Sequence, residues 1–225
     1  MTLSWRYLLI PAASALVLTG CSQDVTGTAV MGSESGAVSS APGTSSPSTS
    51  GGDDSQCTTV AAPLEDIPGK GDSEPALRIP VPAGWERNTM MDSEIIRYSI
   101  VATDLISNNF APNAVVTLES VRGSQAPEEV FEQNRDNLVS GLGAFDLQTE
   151  SNSTCGLPSE TTTYMAPPMG PAPERPIIMH AVVAEDDTST YLATLTIQTA
   201  DPDNPDYVSA SQEIVDGFQM LLPGS

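Results

Sequence analysis

Between Ser22 and Gln56 the chain runs for 35 residues without one aromatic side chain, built mostly of Ser, Thr, Gly, Ala and Pro. Such a segment cannot bury enough apolar surface to offset its ordering entropy. It predicts a disordered tether and confines the hydrophobic core to residues beyond Gln56. As a Gly/Ser-type coil the tether reaches about 30–35 Å root-mean-square. Its cluster of Thr44, Ser45, Ser46, Ser48 and Thr49 beside Pro42 and Pro47 has the composition of O-glycosylated stalks. The rest of a 225-residue chain has room for one ordinary core.

The residues before the tether read as an address. Trp5 and Arg6 lead into an apolar run from Leu8 to Leu18, too short for a stable bilayer span and shaped like an export signal. The run ends in Leu18-Thr19-Gly20-Cys21, which resembles the bacterial lipobox, so Cys21 is expected to carry acyl chains. A short transmembrane anchor or an ordinary secretory cleavage is the alternative. The expected organisation is a signal peptide over 1–20, the lipidated Cys21 and tether over 21–56, and one domain over 57–225. The expected location is the extracytoplasmic face of the cell membrane, with shedding as a variant.

With Cys21 acylated, Cys57 and Cys155 remain, and in an oxidising compartment the pair reads as a disulfide. A loop of roughly 100 residues closed in this way could stabilise by up to about 4–5 kcal/mol in the chain-entropy account. A reactive thiol or metal ligand is the competing reading, with no Cys-x-x-Cys spacing and no second His to support it. Charge narrows the partners further. Eight Lys+Arg against 29 Asp+Glu give a net charge of -21. A nucleic-acid surface needs clustered cations, so nucleic acid is excluded as a partner.

Strand periodicity appears in Ala76–Pro82, Ile95–Val101 and Ala114–Val121. The period then changes. Pro127 as a first helical residue, Glu128 and Glu129 in the first turn, and Val130, Phe131, Leu138 and Leu142 along one side predict an amphipathic helix ending near Gly141. Strands resume at Phe145–Glu150 and Glu160–Met165. The two strongest, Pro176–Ala184 and Tyr191–Ile197, read as a hairpin across the acidic turn Glu185–Thr188. Asn204-Pro205-Asp206 then caps a last helix carrying Tyr207, Val208, Ile214, Val215, Phe218 and Leu221, expected to stop at Pro223. The fold class is α+β, an antiparallel sheet packed by helices in the order βββ-α-ββββ-α.

Four segments in this order resemble a family: Ile79-Pro80-Val81-Pro82-Ala83-Gly84-Trp85, Ala111-Pro112-Asn113-Ala114-Val115-Val116-Thr117-Leu118, the Pro127-Glu128-Glu129 helix start, and Ile214-Val215-Asp216-Gly217-Phe218. Together with the lipobox they are similar to the LpqN/LpqT family of actinobacterial, mainly mycobacterial, lipoproteins. The likeness covers roughly residues 74 to 222 and implies a PsbP-like sandwich. It implies no catalysis. The long tether and the Pro-rich insert Ala166–Pro173 depart from compact members.

Single residues add little chemistry. His180 is the one histidine, placed mid-strand on the face of Ile178 and Val182, where packing explains it better than a general base or metal ligand. No nucleophile elbow, P-loop, dinucleotide fingerprint or zinc motif occurs, so no cofactor and no catalytic residue is expected. The carboxylates of Glu185, Asp186, Asp187, Asp201, Asp203 and Asp206 lack an EF-hand's mid-loop Gly and closing Glu, and no metal is expected. Trp85, Met165 and Met169 are the candidate ligand or partner contacts, Met165 just before the Pro-rich insert and Met169 within it. The functional expectation is a non-catalytic binding or scaffolding module for envelope proteins, glycolipids or host proteins. Its alternatives are a carrier with an apolar pocket between sheet and helices and, third, a hydrolase using His180 and a nearby acid.

Because Cys21 is the only anchor legible in the chain, Cys21→Ala should yield an unlipidated precursor that leaves the detergent phase in a Triton X-114 partition. Retention in the detergent phase after export would reveal a different anchor.

Overall fold

A computed structural model describes residues 54–223. The expected signal peptide, Cys21 and nearly all of the expected tether lie outside the described residues. Within them, strands β1 (Leu64–Ile67), β2 (Ala76–Pro80), β3 (Glu86–Arg87), β4 (Ile96–Val101) and β5 (Asn113–Arg122) precede helix α1 (Pro127–Leu142). Strands β6 (Phe145–Thr154), β7 (Leu157–Ala166), β8 (Arg175–Glu185) and β9 (Ser189–Gln198) come next, then helix α2 (Pro205–Asp216) and the short β10 (Gln219–Leu221). Strands β3 to β9 make a seven-stranded antiparallel sheet in the order β3-β4-β5-β9-β8-β7-β6, and β1-β2-β10 a second, three-stranded one. Every pairing is antiparallel.

The layering is dictated by the two central strands. In β8, Ile177, Met179, Ala181 and Val183 point to one face, while His180, Val182 and Ala184 point to the other, and all are buried. A strand apolar on both sides must be covered on both sides. The face of Val182, Ala193, Leu195 and Ile197 packs against β2, α2 and Phe218 in the main core, which also takes in Trp85. The opposite face packs against α1 in two smaller clusters, one around Val130 and Phe131 and one around Leu138. The expected α+β sandwich is therefore present, with α1 as one layer, the large sheet as the middle, and the small sheet with α2 as the other.

Caps appear where the residues call for them. Asn204 Oδ1 accepts from the N–H groups of Asp206 and Tyr207 at the start of α2. Pro127 opens α1, which ends one residue beyond the expected Gly141 at Leu142; Gly143 then adopts φ 69° and donates its N–H to the Val139 carbonyl. The turn between β8 and β9 is held by Asp186 Oδ1, which accepts from Thr188 and Ser189 N–H.

Several expectations need correction. The last helix does not continue to Pro223: it ends at Asp216, and Phe218 turns into the main core before Gln219–Leu221 pairs with β2. Gly217 explains the break, since a Cβ there would lie 2.5 Å from Val60 Cγ2 and 2.6 Å from Pro80 Cγ. The chain can pass so close to the β2 end only without a side chain. The strand order also gains the short β1, β3 and β10, too brief or too polar to show a period. Leu142 does not seal the helix face; it is 48% exposed. Strands β6 and β7 are longer than their apolar patterns, because they form one hairpin through Cys155 and Gly156, both at positive φ (51° and 80°). Such a pair suits a two-residue hairpin turn. Cys57 and Cys155 are joined in a disulfide, which ties this hairpin tip to the start of the domain.

Gly217→Ala should therefore cost about 1–3 kcal/mol, the range for overpacking a filled site, read as a lowered urea midpoint with unchanged slope. An unchanged midpoint would mean that the Val60 and Pro80 contacts relax freely. Replacing both Cys57 and Cys155 by Ser should lower stability by roughly 2–5 kcal/mol. Free thiols in the folded, non-reduced wild type, detected by alkylation, would remove the bridge from the account.

Candidate functional site

Helix α1 lies over β7, β8 and part of β9, and its sheet-facing stripe is not wholly apolar. Between Phe131 and Leu138 it carries Asn134, whose Nδ2 reaches only Met179 Sδ at 3.6 Å. On the side of α1 nearest β5 the sheet is left uncovered, and a cleft of about 270 Å³ opens there. Thr117 from β5 and Thr194 and Thr196 from β9 form its floor. Leu138 and Leu142 line it from the helix, while Tyr164, Ile177 and Arg175 line it from β7 and β8. A smaller cleft of about 180 Å³ adjoins it along the helix and shares Glu119 and Asn134.

The floor is a consequence of β9's alternation. Ala193, Leu195 and Ile197 point into the main core, so Thr194 and Thr196 must point the other way. The hydroxyls of Thr117, Thr194, Thr196 and Tyr164 make no hydrogen bond among the described residues. They are donors and acceptors available to whatever enters. Burial pushes the Tyr164 phenol above its ordinary range, and the neighbouring Arg175 charge draws it back.

Arg175 opens β8 directly after the Pro-rich insert and is only 7% exposed. Its Nε donates to Gln198 Oε1 at 2.7 Å and its Nη1 to the Pro173 carbonyl at 3.0 Å, and its guanidinium lies 5.0 Å from the centre of the Phe110 ring. Burial holds its pKa below the usual arginine value, against the pull of Tyr164. The insert itself is closed by reciprocal backbone hydrogen bonds between Met169 and Ala172, both 3.0 Å. It forms a turn at the cleft, so the Pro-rich segment is not an open extended run.

Of the three expected contact residues, the structure brings one to this cleft. Met169 lines it and is 54% exposed. Met165 is half-buried one position along β7 from Tyr164, on the opposite face of the sheet. Trp85 is 5% exposed within the main core and also lines a separate cleft with Asp104, Asp206 and Glu213. Glu213 there is engaged, its Oε1 accepting from Ala62 N–H at 2.6 Å. Among the described residues no group of three or more metal-ligating side chains converges, and no helix is long and apolar enough to cross a membrane.

His180 is 3% exposed and lies on the main-core side of the sheet, away from the cleft under α1. Nε2 is 2.8 Å from Thr154 Oγ1, Nδ1 is 2.8 Å from Thr161 Oγ1, and the ring meets Phe218 edge-on. Both nitrogens are thus engaged by hydroxyls, and no carboxylate hydrogen-bonds to the ring among the described residues. Burial lowers its pKa to about 4, opposed by the charge of Asp216.

Comparison with known proteins agrees with this architecture. The chain matches the family described as probable lipoprotein LpqN over residues 64–221 and belongs to it. A search of curated proteins gave no match. Among solved structures it is similar to LpqN of Mycobacterium tuberculosis, described as involved in cell envelope biogenesis, with TM-score 0.56, 16% identity, and coverage of 71% of this chain and 91% of that one. The Saccharomyces cerevisiae Ran-binding protein Mog1p matches with TM-score 0.43 and 12% identity over 71% of this chain and 96% of its own. The fold is the PsbP-like one implied by the family resemblance.

The cleft residues leave only faint signals in the sequence. An arginine heading the most apolar strand is one, and an asparagine inside a helix's apolar stripe is another. For His180 the shift sets a direction. The unfolded chain takes up a proton near pH 6.5 and the folded chain only near 4, so stability falls as pH drops through that window. The loss is on the order of 3 kcal/mol. His180→Gln should flatten this part of the stability profile, measured by urea denaturation between pH 7 and 4. Parallel wild-type and variant profiles would show that His180 is not buried neutral.

Proposed function

We propose that this lipoprotein-family domain is a non-catalytic binding module that holds an amphiphilic ligand in the cleft between α1 and the large sheet. Of the readings weighed from the sequence, this is the carrier with a site between sheet and helices. The observation that carries it is the composition of the cleft: hydroxyls without hydrogen-bond partners among the described residues on the sheet, and Leu138, Leu142 and Met169 along the helix and the Pro-rich turn. Ligand sites combine an apolar lining with a few placed polar groups in this way. Polar atoms at the floor suit a headgroup and the apolar wall suits the first part of a chain. The exposed Leu142 and Met169 leave the mouth open, so a longer tail can continue out of it.

In this proposal acyl chains on Cys21 hold the protein to the outer side of the cell membrane, and the tether lets the domain sample the surrounding envelope. Two or more chains anchor far more firmly than one. Membership of the LpqN family, and the envelope biogenesis ascribed to the M. tuberculosis protein, support an envelope amphiphile as the ligand. Envelope or host proteins as direct partners find less support, because the recognisable site is concave and small. Thr196→Trp should fill the cleft from its floor without touching the main core. Wild type incubated with envelope lipid extract, repurified and analysed by native mass spectrometry should retain a lipid, and the variant should retain at least tenfold less. No retained lipid, or equal retention by a variant with wild-type circular dichroism, would rule the cleft out.

A further inference from the structure

Resting on the cleft as the ligand site, we propose that its occupant carries an acidic headgroup, a carboxylate or phosphate, and that Arg175 is the residue that selects it. The starting point is how this chain places its cations. Of the seven Lys and Arg among the described residues, five lie within salt-bridge distance of a carboxylate: Lys70 with Glu94, Arg78 with Asp54 and Asp66, Arg87 with Asp92, Arg97 with Glu74, and Arg135 with Glu160. In a chain with 29 acids to eight bases that pairing is expected. The two others are Arg122 and Arg175. Arg122 is exposed and needs no partner.

Arg175 is the exception, a buried cation with no carboxylate within 4.0 Å among the described residues, in a chain rich in carboxylates that could offer one. A buried, unpaired charge costs several kcal/mol, and such groups are ordinarily paired. The protein has moderated this cost without neutralising it. Gln198 and the Pro173 carbonyl take Nε and Nη1, and Phe110 covers one side of the guanidinium, but all three are neutral. Nη2 has no partner among the described residues and is not sealed from solvent. Gln198 is itself fixed by donating to Asn113 Oδ1 at 2.8 Å, so the group that orients the guanidinium is locked in turn.

An arginine held in place with a donor to spare matches an anionic oxygen, and charge-assisted hydrogen bonds are roughly twice as strong as neutral ones. The Tyr164 and Thr196 hydroxyls line the same cleft and can complete the contact. The net charge of -21 does not forbid an anion here. Exposed charges are screened beyond a Debye length of about 8 Å at physiological ionic strength, whereas a partly buried contact is screened far less. The one carboxylate lining the cleft is Glu119, toward the other end where the adjoining cleft begins.

The test uses the chain from residue 21 with Cys21→Ser, which keeps the whole tether and domain without the acyl group. Isothermal titration calorimetry below the micelle concentrations compares dodecyl phosphate, laurate, dodecyl maltoside and inorganic phosphate. Dodecyl phosphate and laurate should bind at least tenfold more tightly than dodecyl maltoside. Arg175→Met should abolish that preference, weakening dodecyl phosphate and laurate at least fivefold more than dodecyl maltoside, and Arg175→Lys should restore part of it. Should Arg175→Met fail to fold, Tyr164→Phe with Thr196→Val serves instead and should halve the preference or more. Equal affinity for the acidic and neutral probes in wild type would overturn this inference and leave the cleft as the ligand site. Inorganic phosphate binding as tightly as dodecyl phosphate would also overturn it, in favour of a free anion. Failure of every alkyl probe to bind would instead defeat the cleft reading on which it rests.

Discussion

Everything in this domain is arranged around strand β8, apolar on both faces, and its neighbour β9, apolar along the whole of its main-core face. Strands β8 and β9 pair over nine successive positions from Ile177↔Gln198 to Glu185↔Thr190. Their side chains send Val182, Leu195 and Ile197 to one side and Met179, Ala181 and Leu192 to the other. Such a pair cannot rest at a surface, so a layer must lie on each face. On one face the small sheet, α2 and Phe218 bury the apolar side chains of the central strands. On the other a single sixteen-residue helix is available, and it cannot cover the width from β5 to β7. The cleft is what remains uncovered, and the threonines of β5 and β9 are the residues that tolerate being left there.

Electrostatics gives the uncovered area its character. Cations are few, and those that are partly buried are otherwise drawn into ion pairs, as Arg97 is with Glu74, whose carboxyl the guanidinium holds below its ordinary pKa. Arg135 pairs likewise with Glu160, a buried carboxylate of β7. Arg175 breaks the pattern at the point where the helix cover ends and the Pro-rich turn begins. An arrangement of this kind is unfavourable for stability alone, and rules of folding are most often broken where function lies.

Much of the architecture is legible in the sequence because periodicity reports burial directly. The run Pro176–Ala184 and the alternation of Tyr191–Ile197 mark the central hairpin, and Pro127, Asn204 and Pro205 mark both helix starts. The features that are not legible depend on contacts distant in sequence. Gly217 reads as an ordinary residue within a helix until Val60 and Pro80, more than 130 residues away, are seen to press on it. β10 is three residues long and exists because β2 accepts it. The β6–β7 hairpin reaches Cys155 on polar residues that carry no apolar pattern. The site is less legible than the fold, for a related reason. Thr194, Thr196 and Tyr164 look like ordinary strand residues, and Arg175 like a strand-end charge, because whether a polar group has a partner cannot be read from its own position.

The central claim is that ligands enter between α1 and the large sheet, and backbone amide shifts test it most directly. Titrating the isotopically labelled chain with dodecyl phosphate should perturb β5 near Thr117, the second half of α1, the Met169 turn through Ile177, and β9 from Thr194 to Gln198. The hairpin tip at Cys155, the His180 network and α2 should stay unmoved. Perturbations concentrated on α2 and the small sheet, with the α1 side silent, would contradict the account.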